Sequence, residues 1–178
     1  MSGADLLSGL RVLDFSRVLA GPFCTALLAD LGAEVIKVEP PGGDDYRHIG
    51  PFKEGESALF LLMNRGKKSL TLNLKSARGA VLARQLAEKS DVVVENFKPG
   101  VAARLGIDHE TLRAANPRLV YASISGFGQS GPHSPRPGFG RIGNAFGGLS
   151  YLAGFPELPP TTPGSATIPD YLAGLYGA

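Results

Sequence analysis

Residues 10–39 read as strand, helix and strand, and that succession constrains the fold more than anything else in the chain. Residues 10–15 (LRVLDF) form a short apolar run with a β-branched and an aromatic member, as buried strands do. SRVLAGP reads as a loop. Residues 23–31 (FCTALLADL) place apolar side chains at helical spacing and stop at Gly32. Residues 34–39 (EVIKVE) read as a second strand, closed by Pro40 and Pro41. Two strands joined by a helix must lie parallel, because the crossover returns the chain to the same edge.

The pattern continues. A strand is expected at residues 69–74 (SLTLNL), an amphipathic helix at 77–89, a buried strand at 91–95 and a further strand at 119–124. Residues 101–105 suit a short helix, and Asp108 suits the N-cap of a helix over 109–115. Residues 42–53 read as loop, and 57–63 as helix or strand. The fold class is therefore α/β, a Rossmann-like doubly wound parallel sheet with flanking helices.

From residue 126 the composition changes. Residues 126–140 and 155–165 are rich in turn formers, 144–152 are expected to be helical, and 168–178 begin a helix with Pro169 in its first turn. The pattern stops inside that helix. Residues 1–178 are thus expected to be the N-terminal part of a longer, otherwise incomplete domain, without internal repeats.

Composition excludes several classes. At 43% hydrophobic and 19% charged, the 178 residues suit one folded domain rather than a disordered chain. A net charge of +2 provides no pull toward nucleic acid or an anionic membrane. No apolar stretch approaches the roughly 20 residues a spanning helix needs, and the N-terminus lacks the basic start of a signal peptide. The single cysteine, Cys24, permits no intrachain disulfide and fits a cytoplasmic location.

The first strand-to-helix turn lacks the G-x-G-x-x-G that lets a backbone approach a dinucleotide; it has Gly21 followed by Pro22, which has no N–H. Glu39 then reads as a surface or structural carboxylate rather than a ribose ligand. There is no P-loop lysine and no G-x-S-x-G elbow. His48, His109 and His133 form no metal spacing; His109 reads as a helix residue, and the other two as solvated loop residues. What remains is a set of loops at strand C-terminal ends, over 17–22, 96–100 and 126–140, with Arg17, Lys75, Lys98 and Arg104 nearby. Ligands bind there in open parallel sheets, and backbone amides with scattered cations suit a phosphate-bearing ligand with a long arm.

Four strings carry a resemblance: LSGLRVLDFSRVLAGPFCTALLADLGAEVIKVEPPGGDD, NRGKKSLTLNLKSARG, DVVVENFKPGVAARLGI and NPRLVYASISGFGQSGP. In sequence, order and spacing they resemble the family III coenzyme A transferases, also called the CaiB/BaiF family, over nearly the whole chain. The resemblance implies a transferase that moves CoA from an acyl-CoA to a carboxylic acid acceptor. CoA thioesters would be substrates, with no permanently bound cofactor. It implies Asp170, after the Gly147-Gly148-Leu149 segment, as the nucleophile that forms a covalent aspartyl intermediate. Helix N-cap is the other job open to an aspartate in that position. For CoA binding it implies Val18, Leu19, Ala20, Leu72, Lys75, Asn96, Phe97, Lys98, Arg104, Gly138 and Phe139. Leu19 and Pro40 stand where some members carry an amide and a cation. An α-methylacyl-CoA racemase reading is disfavoured, because Phe139 occupies the place of the racemase histidine and cannot move a proton. An inactive CoA-binding fragment is the non-enzymatic alternative. Full-length relatives are expected to have a second small domain and to form interlocked homodimers.

Overall fold

Five strands form one parallel sheet in the computed structural model, which describes residues 6–165 and 167–178. They are β1 (Arg11–Asp14), β2 (Glu34–Glu39), β5 (Lys68–Thr71), β6 (Val92–Glu95) and β7 (Val120–Ser123), with a small antiparallel hairpin of β3 (Phe52–Lys53) and β4 (Glu56–Ser57) outside the sheet. The order β5-β2-β1-β6-β7 winds outward from the centre in both directions. Its switch point lies between β1 and β6, where Leu13 pairs with Val93. Each expected strand is present: β2 over the expected 34–39, β5 shifted to start one residue earlier and end three earlier, and the other three shorter by one residue at one or both ends.

The helices are α1 (Ala20–Asp30), α2 (Ala58–Asn64), α3 (Ala77–Glu88), α4 (Val101–Leu105), α5 (His109–Ala115), α6 (Gly140–Phe146), α7 (Leu149–Leu152) and α8 (Ile168–Gly177). The central strands are covered on both faces, which is why they read as unbroken apolar runs. Successive side chains point to opposite faces. Val12 packs with Cys24, Leu28, Val35 and Val94 under α1. Leu13 packs on the other face with Ala83 and Ala87 of α3 and Leu112 of α5. Asp108 caps α5 as its residue type predicts, accepting a hydrogen bond from the Thr111 N–H at 3.1 Å.

Several local expectations are corrected. The helix expected from residue 23 starts at Ala20, because Pro22 falls in the first turn, where a missing N–H has no intrahelical partner to lose. The loop at 42–53 contains a 3-10 turn over Asp45–His48, nucleated by Asp44, whose carboxylate accepts from the Tyr46 N–H at 3.0 Å. Residues 57–63 resolve as helix: Ser57 caps α2 by accepting from the Phe60 N–H at 3.2 Å. The helix expected over 144–152 divides into α6 and α7 at Gly147-Gly148, two residues of low helix propensity. Of the two roles expected for Glu39, surface or structural, it takes the structural one. It is buried, paired with the Arg47 guanidinium at 2.7 and 2.8 Å, and accepts from Ser69 Oγ at 2.7 Å.

Candidate active site

The switch point places the β1–α1 loop beside the β6–α4 loop, since both leave the sheet at its C-terminal edge. A cavity of about 320 Å³ opens there. Its wall is completed by the segment between β7 and α6 and by the first turn of α8. Nine residues singled out from the sequence line it together: Val18, Leu19, Ala20, Asn96, Phe97, Lys98, Gly138, Phe139 and Asp170. Leu72 and Lys75 line a second cavity of about 360 Å³ beside β2, β5 and α4, and Phe97 faces that one too. Arg104 lines neither; on α4 it is Val101 and Leu105 that reach the second cavity. The two cavities meet at Arg17 and Phe97, whose guanidinium carbon lies 5.8 Å from the ring centroid. A ligand long enough to occupy both must cross that pair.

Asp170 is the third residue of α8, not its cap; the N-cap is Thr167. The cap reading is thereby corrected, for a residue inside the first turn has already entered helical geometry. Among the described residues the Asp170 side chain has no hydrogen bond or ion pair with another residue. Burial pushes its pKa above the ordinary aspartate value, against a smaller downward pull from its own backbone N–H. A carboxylate so placed keeps its lone pairs for a substrate.

Three contacts fix its position. Tyr171 packs edge-on against Phe23 of α1, with ring centroids 5.0 Å apart. Pro169 rests on Gly143 of α6. Gly174, one turn beyond Asp170, sits so close to α1 that an added Cβ would lie 2.6 Å from the Ala20 carbonyl oxygen. The start of α8 is thus laid against the start of α1. On the opposite wall Gly126 and Gly138 cross with a Cβ-to-Cα clearance of only 2.3 Å, so any side chain at either would part the two strands of the loop.

The β1–α1 loop is held almost atom by atom. Asn96 accepts from the Arg17 N–H at 2.8 Å and donates to the Arg17 carbonyl at 2.7 Å. Its amide is therefore occupied by the protein, although the residue lines the cavity. Ser16 N–H and Oγ donate to Asp14 Oδ1. Lys67 donates to Asp14 Oδ2 at 3.0 Å and to the Pro22 carbonyl at 2.8 Å, tying the loop to α1. Burial lowers the Lys67 pKa to about 8, with Asp14 opposing the shift. Burial likewise raises Asp14, but the charges of Lys67 and Lys37 outweigh it and the net direction is down.

Sequence reading missed this network, and the cavity residues Ser125, Arg136 and Ile142 as well. The one available signal was Asp14 and Lys37, charges beside the apolar residues of the runs LRVLDF and EVIKVE. Of the histidines, His48 is exposed as expected, whereas His133 is half-buried between Phe127 and Phe146, with ring centroids 5.7 and 5.6 Å away. Among the described residues, no three His, Cys, Asp or Glu side chains gather where they could hold a metal ion, and no helix is long and apolar enough to cross a membrane.

Comparison with known proteins gives one consistent result. The model of CoA-transferase family III matches residues 7–178. The chain is 47% identical over 173 residues to the succinyl-CoA–L-malate CoA-transferase beta subunit of Chloroflexus aurantiacus, covering 96% of this chain and 43% of that one. It is 47% identical over 169 residues to the acetyl-CoA:oxalate CoA-transferase of Acetobacter aceti, covering 94% and 43%. A crystal structure of a CaiB/BaiF family protein from Brucella suis superposes with a TM-score of 0.90 at 44% identity, covering 96% of this chain and 46% of that one. The chain therefore spans less than half the length of the relatives it matches.

Proposed function

Because the chain belongs to CoA-transferase family III, we propose that it carries the nucleophile and most of the CoA track of an enzyme that moves CoA between an acyl-CoA and a carboxylic acid. The observation that carries the proposal is Asp170. It is a half-buried carboxylate without a protein partner among the described residues, at the cavity where an open parallel sheet binds ligands.

In the proposed reaction the Asp170 carboxylate attacks the thioester carbonyl, and the C–S bond breaks to release CoA thiolate and leave an aspartyl–acyl anhydride. The thiolate attacks the aspartyl carbonyl, expelling the donor acid as its carboxylate and leaving an aspartyl–CoA thioester. The acceptor carboxylate attacks that thioester to give a second anhydride, and the thiolate then takes its acyl group and restores Asp170. No proton or electron is gained or lost overall. Each attack builds negative charge on a carbonyl oxygen. The N-terminus of α1, which has no side-chain cap, presents its first N–H groups at Leu19 and Ala20 on the cavity wall, where they suit such an oxyanion.

The second cavity, with Leu72 and Lys75, suits the nucleotide end of CoA, and Lys98 and Arg17 suit the phosphates between. Phe139 on the cavity wall offers no proton, so a racemase gains no support. The relatives' names point to small dicarboxylic acids as the acyl groups to try first. Incubation with succinyl-, malyl-, oxalyl- and glutaryl-CoA, followed by hydroxylamine and peptide mass spectrometry, is expected to leave a hydroxamate on Asp170. A label elsewhere, or none in the protein at its full natural length, would refute the nucleophile.

A further inference from the structure

Val18 stands in the left-handed region, with φ of 70°. A β-branched side chain is costly there, and glycine or asparagine would be the ordinary choice. Strain of this kind persists only where the surroundings over-determine it. Here they do. The backbone on either side is pinned by side chains: Ser16 by Asp14, Arg17 by Asn96, and Val18 through its N–H, which donates to both oxygens of Asp44 at 3.2 and 3.3 Å. Asp44 in turn pairs with Lys37 at 2.8 Å, and both side chains are almost wholly inaccessible, at 0% and 1%. Lys37 also donates to the Ser16 carbonyl at 3.0 Å.

The Lys37–Asp44 pair thus grips the loop at two backbone atoms two residues apart. Directly beyond lie Leu19, which caps α1, and Ala20, both on the cavity wall with Asp170. Removing one member of such a pair leaves the other charged and buried. A pair of aliphatic residues would leave the Val18 and Tyr46 N–H groups and the Ser16 carbonyl without these partners, so the charges are tied to the backbone geometry of the loop.

We propose that Asp44 and Lys37 are positioning residues: the buried pair holds Val18 left-handed so that the backbone opening α1 faces Asp170 across the cavity. The proposal rests on the reading of Asp170 as nucleophile. Neither residue touches substrate; both act through the Val18 and Ser16 backbone.

The test is a double-substitution cycle on the protein at its full natural length, with Asp44→Ala, Val18→Gly and the two combined. It measures kcat, KM for acyl-CoA, the rate of hydroxamate formation at Asp170, and Tm. Asp44→Ala is expected to lower kcat and the trapping rate by about 100-fold, the scale of a 1 Å misplacement, with KM changing less than about threefold. Glycine takes positive φ without strain, so the combined variant is expected to recover about tenfold in kcat over Asp44→Ala while its Tm does not rise. A structural role would tie activity to Tm and give no such recovery. If Asp44→Ala does not fold, Asp44→Asn keeps an acceptor for Val18 and is expected to lose less, again with recovery by glycine. A folded variant with unchanged trapping rate, or a loss that glycine at 18 does not relieve, overturns the proposal while leaving the nucleophile in place. Absence of any Asp170 label in the unsubstituted protein sinks the nucleophile and the proposal together.

Discussion

The sheet with its covering helices, up to β7, and the segment from residue 126 onward are built on opposite terms. Every buried apolar side chain of the core lies between Val12 and Leu119. Beyond β7 the buried positions among the described residues are Gly140, Asn144 and Gly174, while Phe146, Leu152, Phe155 and Tyr176 stand open, Leu152 at 77% and Tyr176 at 88%. The carboxylates divide in a related way. Asp14 and Glu39 are buried in the first region with cationic partners, and despite burial their pKa values fall, Glu39 to about 2. Asp170 has no such partner, and burial lifts it. Glu95, at the cavity end of β6, is the exception, raised by burial with only Ser123 and the Phe97 N–H to offset it. The first region resolves its charges internally and holds its shape. The second presents one half-buried carboxylate, Asp170, on a helix seated against α1 and, at Pro169, against α6. On the proposed reading the labour divides: rigidity comes from the sheet, and the proposed nucleophile from an element attached to it.

The sharpest way to break this comparison is Asp170→Ala. Acyl transfer is expected to fall about a thousand-fold or more, as when a nucleophile is removed from other covalent catalysts, with Tm nearly unchanged. A large fall in Tm would show that Asp170 stabilises the fold and would erase the contrast. Next in size is Leu13→Ala in the first region, where the side chain is 0% exposed. It is expected to cost about 2–5 kcal/mol of stability, read by denaturant unfolding. Gly174→Ala is its counterpart. The added Cβ meets the Ala20 carbonyl, and overpacking of this kind costs about 1–3 kcal/mol. Because α8 lies outside the buried core of the sheet, it should tilt rather than unfold the sheet. Activity should therefore fall further than stability does, the reverse of the order expected for Leu13→Ala.

The same contrast explains what could be read without coordinates. The central strands β1, β2 and β6 were legible because burial on both faces demands apolar runs such as VVVE, and β5 from the alternation in SLTLNL. The start of α8 was legible from Pro169, and Asp170 from the strings around it. The Asp14–Lys67 pair was not, since the partners are 53 residues apart, and nothing at the end of β1 names a lysine just before β5. Val18 was invisible for a different reason. A glycine there would have announced positive φ, whereas a valine forced into it by Asp44 looks like any loop valine. Arg136 escaped because the residues around it carry no periodicity, so nothing indicated which of them face the cavity.

Acid titration sharpens the contrast more gently. The Glu39 pKa lies at about 2 in the fold against an ordinary value of 4.5, so the stability it contributes is present above pH 4.5 and is lost as pH falls toward 2. Glu39→Gln is expected to flatten that part of the stability curve. Trapping at Asp170 should fade at a higher pH than an unperturbed aspartate would give, because burial shifts it upward. The two shifts are opposite in sign, so trapping is expected to be lost at a higher pH than the Glu39 contribution to stability. If both losses coincided, the two carboxylates would share one environment.

The smallest effect is expected on the open face of the second region. Tyr176→Ser and Leu152→Ser remove side chains that touch little, so each should change the unfolding free energy by no more than about 0.5 kcal/mol. Self-association of the 178-residue chain should fall in sedimentation, since an exposed apolar patch drives it. The two readouts separate the alternatives. A drop in stability at either position would mean that α7 or α8 is packed more firmly than its exposure implies. An unchanged sedimentation profile with unchanged stability would mean that these side chains are solvated singly, as isolated surface apolar residues are, and the second region would then be no stickier than the first.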